Sequence, residues 1–220
     1  MMTAYASRTG TRRNLAALRG AGWRLMLSPA GVLRTEGFPY AIDNGAYSAW
    51  TQGTPWNEAR FLDAVDRFGA SADFIVAPDV VAGGRASLDL SLEWLSSLLD
   101  ATAGRVLLAA QDGMTPTDMA PHVGQRVGIF IGGSTEWKRH AIPAWGPWCA
   151  SRGVWCHVGR VNTIGRIRSC AMAGVASFDG SSASRYATTL PFLDEARRQL
   201  CLAASEGARR PGDGETGGGT

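Results

Sequence analysis

Histidine, lysine and paired cysteines are scarce in this chain, and each shortage removes a class of chemistry. The 220 residues hold three histidines, His122, His140 and His157, too few for the clusters that bind most catalytic metals. The four cysteines, Cys149, Cys156, Cys170 and Cys201, include no C-x-x-C pair to grip zinc, so reduced and mostly buried thiols are expected. Neither a metal nor a cofactor is expected. No apolar run is long enough to span a bilayer, and the stretch MMTAYASRTGTRRNLAAL lacks the apolar core of a secretory signal, so the expected location is the cytoplasm. No G-x-G-x-x-G follows the first apolar run, which speaks against a dinucleotide-binding fold.

What is present is an ordinary globular composition, 45% apolar, with a formal net charge of +3. That balance fits one domain and permits a polyanionic partner without requiring one. Short apolar runs recur: MTAYAS, WRLMLS, YAIDN, DFIVAPD, RVLLAAQD, VGIFIGG, VWCHVG and VASFDG. Between most of them lie segments of helical period. In 56–69 Phe61, Leu62, Val65 and Phe68 are expected to share one face, and further helices are expected over 86–104 and 162–174. A helix over 137–153 is expected to be interrupted by Pro143 and Pro147. Strand and helix in alternation, with continuous apolar strands, indicate a parallel sheet buried on both faces. Eight strands predict a compact (β/α)8 barrel over 1–204, with no room for a helix in the connection 29–38. A doubly wound open sheet is the rival. The tail 205–220 has almost no apolar content and is expected to be disordered.

The strand ends carry the polar residues. Asp43-Asn44-Gly45 follows the third run, Asp79 the fourth and Gln111-Asp112-Gly113 the fifth. Gly132-Gly133-Ser134 follows the sixth, His157-Val158-Gly159-Arg160 closes the seventh, and Asp179-Gly180-Ser181-Ser182 closes the eighth. Helix capping explains any one of these. Six in succession point to a site, because a parallel barrel places its reacting groups where strands end. Carboxylates around one pocket suit glycosidic chemistry, in which one attacks the anomeric carbon and another handles the proton. A carboxylate beside an amide also suits reading of a purine edge.

These residues resemble the tRNA-guanine transglycosylases, and more closely the short phage relatives that insert 7-deazaguanine bases into DNA. YAIDNGAYSAW is similar to the family's D-S-G-G-F-Q segment, which gives Asp43 the proton-handling role and places Asn44 in the pocket. APDVV resembles the segment whose Asp binds the guanine edge, implying Asp79. AAQDG resembles the strand whose Gln contacts the base, implying Gln111, and FIGGS the strand end whose backbone lines the pocket, implying Gly132 and Gly133. VASFDGSSASR is similar to G-V-D-x-F-D-x-x-x-x-x-R, which implies Asp179 as nucleophile and Arg185 near a backbone phosphate. The resemblance spans roughly 38–186 and departs from the tRNA enzymes in lacking their Cys-rich zinc subdomain. It implies a pentosyltransferase that replaces guanine in DNA with a free 7-deazaguanine base, by way of a covalent Asp179 glycosyl intermediate. A tRNA-acting enzyme or an inactive nucleic-acid-binding relative are the alternatives.

Beyond the pocket, Arg160 and then Lys138 are the expected phosphate contacts, while Arg166 and Arg168 read as a solvated helix face. Most of the eight tryptophans are expected to pack, with Trp50 or Trp137 available to stack on a base. His157 reads as a hydrogen-bonded core histidine or a catalytic one. A homodimer that covers apolar loops is also an expectation. A phosphosugar isomerase or lyase barrel would need a Lys or Glu base, and Lys138 is the single lysine.

Overall fold

The computed structural model describes residues 1–7, 11–185 and 188–206; side chains of 185 and 199–206 lie outside the described set. In chain order the elements are β1 (Thr3–Ser7), α1 (Arg12–Gly20), β2 (Arg24–Leu27), β3 (Tyr40–Ile42), α2 (Ala46–Gln52), α3 (Glu58–Phe68), β4 (Phe74–Val76) and α4 (Arg85–Ala101). There follow β5 (Arg105–Ala110), α5 (Pro116–Met119), β6 (Val127–Ile131), α6 (Thr135–Ser151), β7 (Cys156–Val158), α7 (Ile164–Met172), β8 (Ser177–Gly180), α8 (Ser182–Arg185) and α9 (Leu190–Glu206). The eight strands pair in sequence order, all parallel, and β8 closes on β1 with Tyr5 opposite Asp179. The chain is thus a (β/α)8 barrel, and the open sheet is excluded. β2 and β3 are joined without a helix, as the short connection requires.

Strand alternation builds two apolar layers. Tyr5, Met26, Ala41, Phe74, Val76 and Leu107 fill the barrel. Their neighbours, such as Ala4, Leu25, Ile42, Ile75, Val106 and Leu108, face the helices and join the larger core. Both strand faces are therefore dry, which is why the strands read as unbroken apolar runs.

Two helices differ from expectation. On α3 the buried residues are Phe61, Ala64 and Val65, whereas Leu62 is 45% exposed. One residue turns a helix by 100°, so Leu62 leaves the face that the spacing of three and four residues keeps inward. α6 runs unbroken through Pro143 and Pro147. Both prolines sit on its exposed face, four residues apart, where water can satisfy the carbonyls that lose an N–H partner. The buried face of α6 carries Ile142, Trp145, Gly146 and Cys149, and a Cβ at Gly146 would stand 2.2 Å from the Ala173 carbonyl oxygen.

α9 locks the closing end. The Asp194 carboxylate accepts from the Trp23 indole at 2.9 Å and from Arg197, whose guanidinium also donates to the carbonyls of Ala21 and Met2. Of the expected tail, 207–220 lie outside the described residues. No helix among the described residues is long and apolar enough to cross a membrane.

Candidate active site

A cavity of about 800 Å3 opens where the strands end. Asp43, Asp79, Gln111, Arg160 and Asp179 all line it, so strands β3, β4, β5, β7 and β8 deliver side chains to one space. Eight residues expected to contact substrate or nucleic acid, Asp43, Asn44, Asp79, Gln111, Gly132, Gly133, Arg160 and Asp179, are brought together there.

Asp43 follows β3, and the next turn is made by Gly45 at φ +79, a left-handed conformation that suits glycine. The Gly45 N–H donates to Asp43 Oδ2 at 3.3 Å. Asp43 is half-buried at the cavity wall. This burial, reinforced by the charges of Asp179 and Asp79, raises its pKa to about 7. At neutral pH it can hold or release a proton.

Asp79 is fixed by two amides. Asn44 Nδ2 donates to its Oδ1 at 2.7 Å, and Gln111 Nε2 donates to its Oδ2 at 2.5 Å. Burial raises the Asp79 pKa against the lowering effect of these donors and of the Arg160 charge. Ser87, fully buried on α4, also acts on Asp79, although its hydroxyl makes no hydrogen bond of normal geometry.

Asn44 differs from its expected substrate role. Its Nδ2 serves both the Ala77 carbonyl and Asp79, and its Oδ1 accepts from the Ala46 N–H. With its hydrogen-bonding capacity spent on protein, it orients Asp79 and starts α2. Trp56 in turn donates its indole N–H to the Asn44 carbonyl at 2.8 Å.

The paired glycines are needed for close approach. A Cβ on Gly132 would lie 2.8 Å from Gln111 Nε2, and one on Gly133 would lie 2.3 Å from the Trp137 ring. Their N–H groups are committed to the Ala110 carbonyl and their carbonyls to Arg160, so this backbone lines the cavity without a free donor. Trp137 is thereby packed against Gly133 and Trp145 and does not serve as a stacking platform. Trp50 remains 60% exposed at the cavity wall beside Tyr47, their ring centroids 5.9 Å apart.

Arg160 sits at φ +59, a strained backbone for a residue with a side chain. Its guanidinium bonds the carbonyls of Gly132 and Gly133 and lies 3.9 Å from the Tyr47 ring centroid. It lines the cavity and is half-buried there. Lys138 is the clearest correction. Expected as a phosphate contact, it is 4% exposed, and its Nζ donates to the Gly159 carbonyl at 2.7 Å. Burial, aided by the Arg160 charge, lowers its pKa to about 7. The cause is orientation: the first turn of α6 directs position 138 inward, with Ala141 and Ile142. The Arg185 side chain lies outside the described residues.

Asp179, on β8, accepts at Oδ1 from the Arg160 backbone N–H at 3.3 Å and contacts His157 Nε2 at 3.1 Å. His157 is fully buried, which lowers its pKa against the raising effect of Asp179. Its other nitrogen contacts Ser177 Oγ at 2.8 Å. Sequence reasoning missed this arrangement and the place of Tyr47. The signal for the first was alternation on β7 and β8, which puts 157, 177 and 179 on one interior face.

No family model matches the chain, and no curated protein matches it. Solved structures resemble it in shape. A native KDPGal structure superposes with TM-score 0.55 at 12% identity, covering 94% of this chain and 97% of that one. CitE from Mycobacterium tuberculosis in complex with magnesium and acetate gives 0.53 at 12% identity, covering 94% and 97%. A cube-shaped, highly porous cage designed by fusing symmetric oligomeric domains gives 0.54 at 13%, covering 93% and 75%. At these identities the likeness establishes the (β/α)8 fold and nothing finer.

Proposed function

We propose that this chain is a pentosyltransferase that exchanges guanine in DNA for a free 7-deazaguanine base. The observation that carries the reading is the pair Asp43 and Asp179 on one cavity, where burial first and the Asp179 charge next raise the Asp43 pKa to about 7. Asp179 attacks C1′ of the nucleoside. The C1′–N9 bond breaks, its electron pair leaves with guanine, and Asp43 supplies the proton that neutralises the departing base. The Asp43 carboxylate then takes the ring N–H proton of the incoming base, whose nitrogen attacks C1′ and releases Asp179. Atoms and charge balance over the cycle.

Base recognition follows from acceptors. Asp79 and the Gln111 amide oxygen face N–H donors, and guanine offers such donors at N1 and its exocyclic amine. A duplex base must leave the stack to reach the cavity, and Trp50 at the wall offers a stacking surface for it or its neighbour. DNA is the substrate that the resemblance to the short phage enzymes implies, with tRNA the alternative. A Schiff-base lyase is disfavoured, since the single lysine, Lys138, is buried on the Gly159 carbonyl and does not line the cavity.

The test is incubation of the protein with DNA, or with tRNA, and radiolabelled guanine or 7-deazaguanine. The parent protein is expected to transfer label into DNA and to form a protein–nucleic acid adduct stable in denaturant; Asp179→Asn is expected to do neither. Label entering only tRNA would move the substrate to the alternative. Undiminished exchange by Asp179→Asn, or no exchange by the parent, would overturn the reading.

A further inference from the structure

We propose that His157 is a positioning residue for Asp179, held in its Nε2–H tautomer by Ser177 and Trp155, so that it pins Oδ1 and leaves Oδ2 to face the substrate. This rests on the reading of Asp179 as nucleophile. The argument begins at the far end of the relay. An indole N–H only donates, and Trp155 Nε1 donates to Ser177 Oγ at 2.9 Å. The Ser177 hydroxyl proton is then free to point at His157 Nδ1, 2.8 Å away, which accepts it. The remaining ring proton must sit on Nε2, 3.1 Å from Asp179 Oδ1, and it donates there. The opposite tautomer would set a nitrogen lone pair against a carboxylate oxygen.

Packing prevents the ring from turning to another arrangement. Phe130 stacks on His157 with centroids 5.2 Å apart and planes at 15°, while Phe74 and Tyr5 close on it at 5.0 and 5.7 Å. The charged or titratable groups that act on it are Asp179 and Lys138, with Tyr5 beside the ring. Both donors to Asp179, the His157 ring and the Arg160 N–H, converge on Oδ1. Among the described residues no donor reaches Oδ2. Gly159 lets Phe130 pack closely beside this pair, since a Cβ there would stand 2.6 Å from its ring. One carboxylate oxygen is thus held by protein and the other is free to attack.

The test combines nitrogen NMR of the folded protein with exchange kinetics. NMR is expected to show His157 protonated at Nε2 and bare at Nδ1, without titration from pH 8 to 6; Ser177→Ala is expected to raise the population of the other tautomer. In kinetics, His157→Leu is expected to lower kcat by about 100-fold with KM for the free base little changed, as misplacement of a reacting group does. His157→Gln, which restores an N–H toward Asp179, is expected to recover at least a tenth of the parent rate. A proton on Nδ1, an imidazolium, or a His157→Leu rate equal to the parent would overturn the proposal, as would a Gln variant no better than Leu. If the parent catalyses no exchange, the nucleophile reading fails while NMR still decides the tautomer. Should His157→Leu fail to fold, NMR of the parent and of Ser177→Ala, with the His157→Gln rate, still decides the matter.

Discussion

Two carboxylates flank neighbouring strands of this barrel and have opposite fates. Asp73 immediately precedes β4 at the closed end, where it accepts from the Tyr5 hydroxyl at 3.0 Å and from Arg24 at 2.5 Å. Asp43 immediately follows β3 at the open end, where it has the backbone N–H of Gly45 and faces the like charges of Asp179 and Asp79. One carboxylate is satisfied and seals the barrel floor. The other is left in electrostatic conflict beside empty space, and a fold tolerates such conflict where chemistry requires it. Residue type alone does not separate structural from reactive acids; partners and position along the strand do.

The largest effect expected from this contrast is on turnover. Asp43→Asn should reduce base exchange by about 10^2–10^4-fold, the range for loss of a general acid–base group. Asp73→Ala should leave the rate of the folded enzyme within about threefold. Label-transfer kinetics on both variants check this, and equal losses would erase the distinction. Next comes stability. Asp73→Ala leaves the buried Tyr5 hydroxyl without its acceptor and is expected to cost about 1–3 kcal/mol, read as a fall in the denaturant midpoint. Replacement of a satisfied carboxylate should always hurt, whereas replacement of a frustrated one should help.

The smallest expected effect is therefore a gain. Between pH 4 and about 7 the folded protein keeps a proton on Asp43 that the unfolded chain has released, so stability falls as pH rises through that window and levels off above it. Asp79, raised in the same direction, adds to the slope. Asp43→Asn removes its own share. The variant should match the parent below pH 4 and exceed it at pH 8, read as a higher Tm. Thermal melts at pH 4 and 8 measure the difference, and a variant less stable than the parent at pH 8 would show that Asp43 is satisfied after all.

Much of the fold was legible because parallel barrel strands are written as uninterrupted apolar runs and their order in space repeats their order in sequence. The short 29–38 connection could be recognised by length alone. Asp43, Asp79, Gln111 and Asp179 were legible for a related reason: each stands where an apolar run stops. What could not be read depends on rotation and on distant partners. Leu62 and Lys138 were misplaced because a helix exchanges inside for outside within two residues. Asn44 looked like a ligand group until the Ala77 carbonyl, the Ala46 N–H and Asp79 were seen to occupy it. His157 needed Ser177 and Trp155, which come from its own strand region and the next, before its tautomer could be assigned. Pro143 and Pro147 suggested a break that solvent on one helix face makes unnecessary.

The pairing of β8 with β1, and the reach of Arg197 to the Met2 carbonyl, make the folded molecule a ring in which the first and last strands are ordinary neighbours. A ring has no intrinsic starting point. The gene could be recut at a floor-side turn such as Gly22, with the old ends joined by a linker, and the acids at the rim would meet as before. The order in which the strands leave the ribosome is thus a matter of history, while their order around the circle is what the chemistry uses.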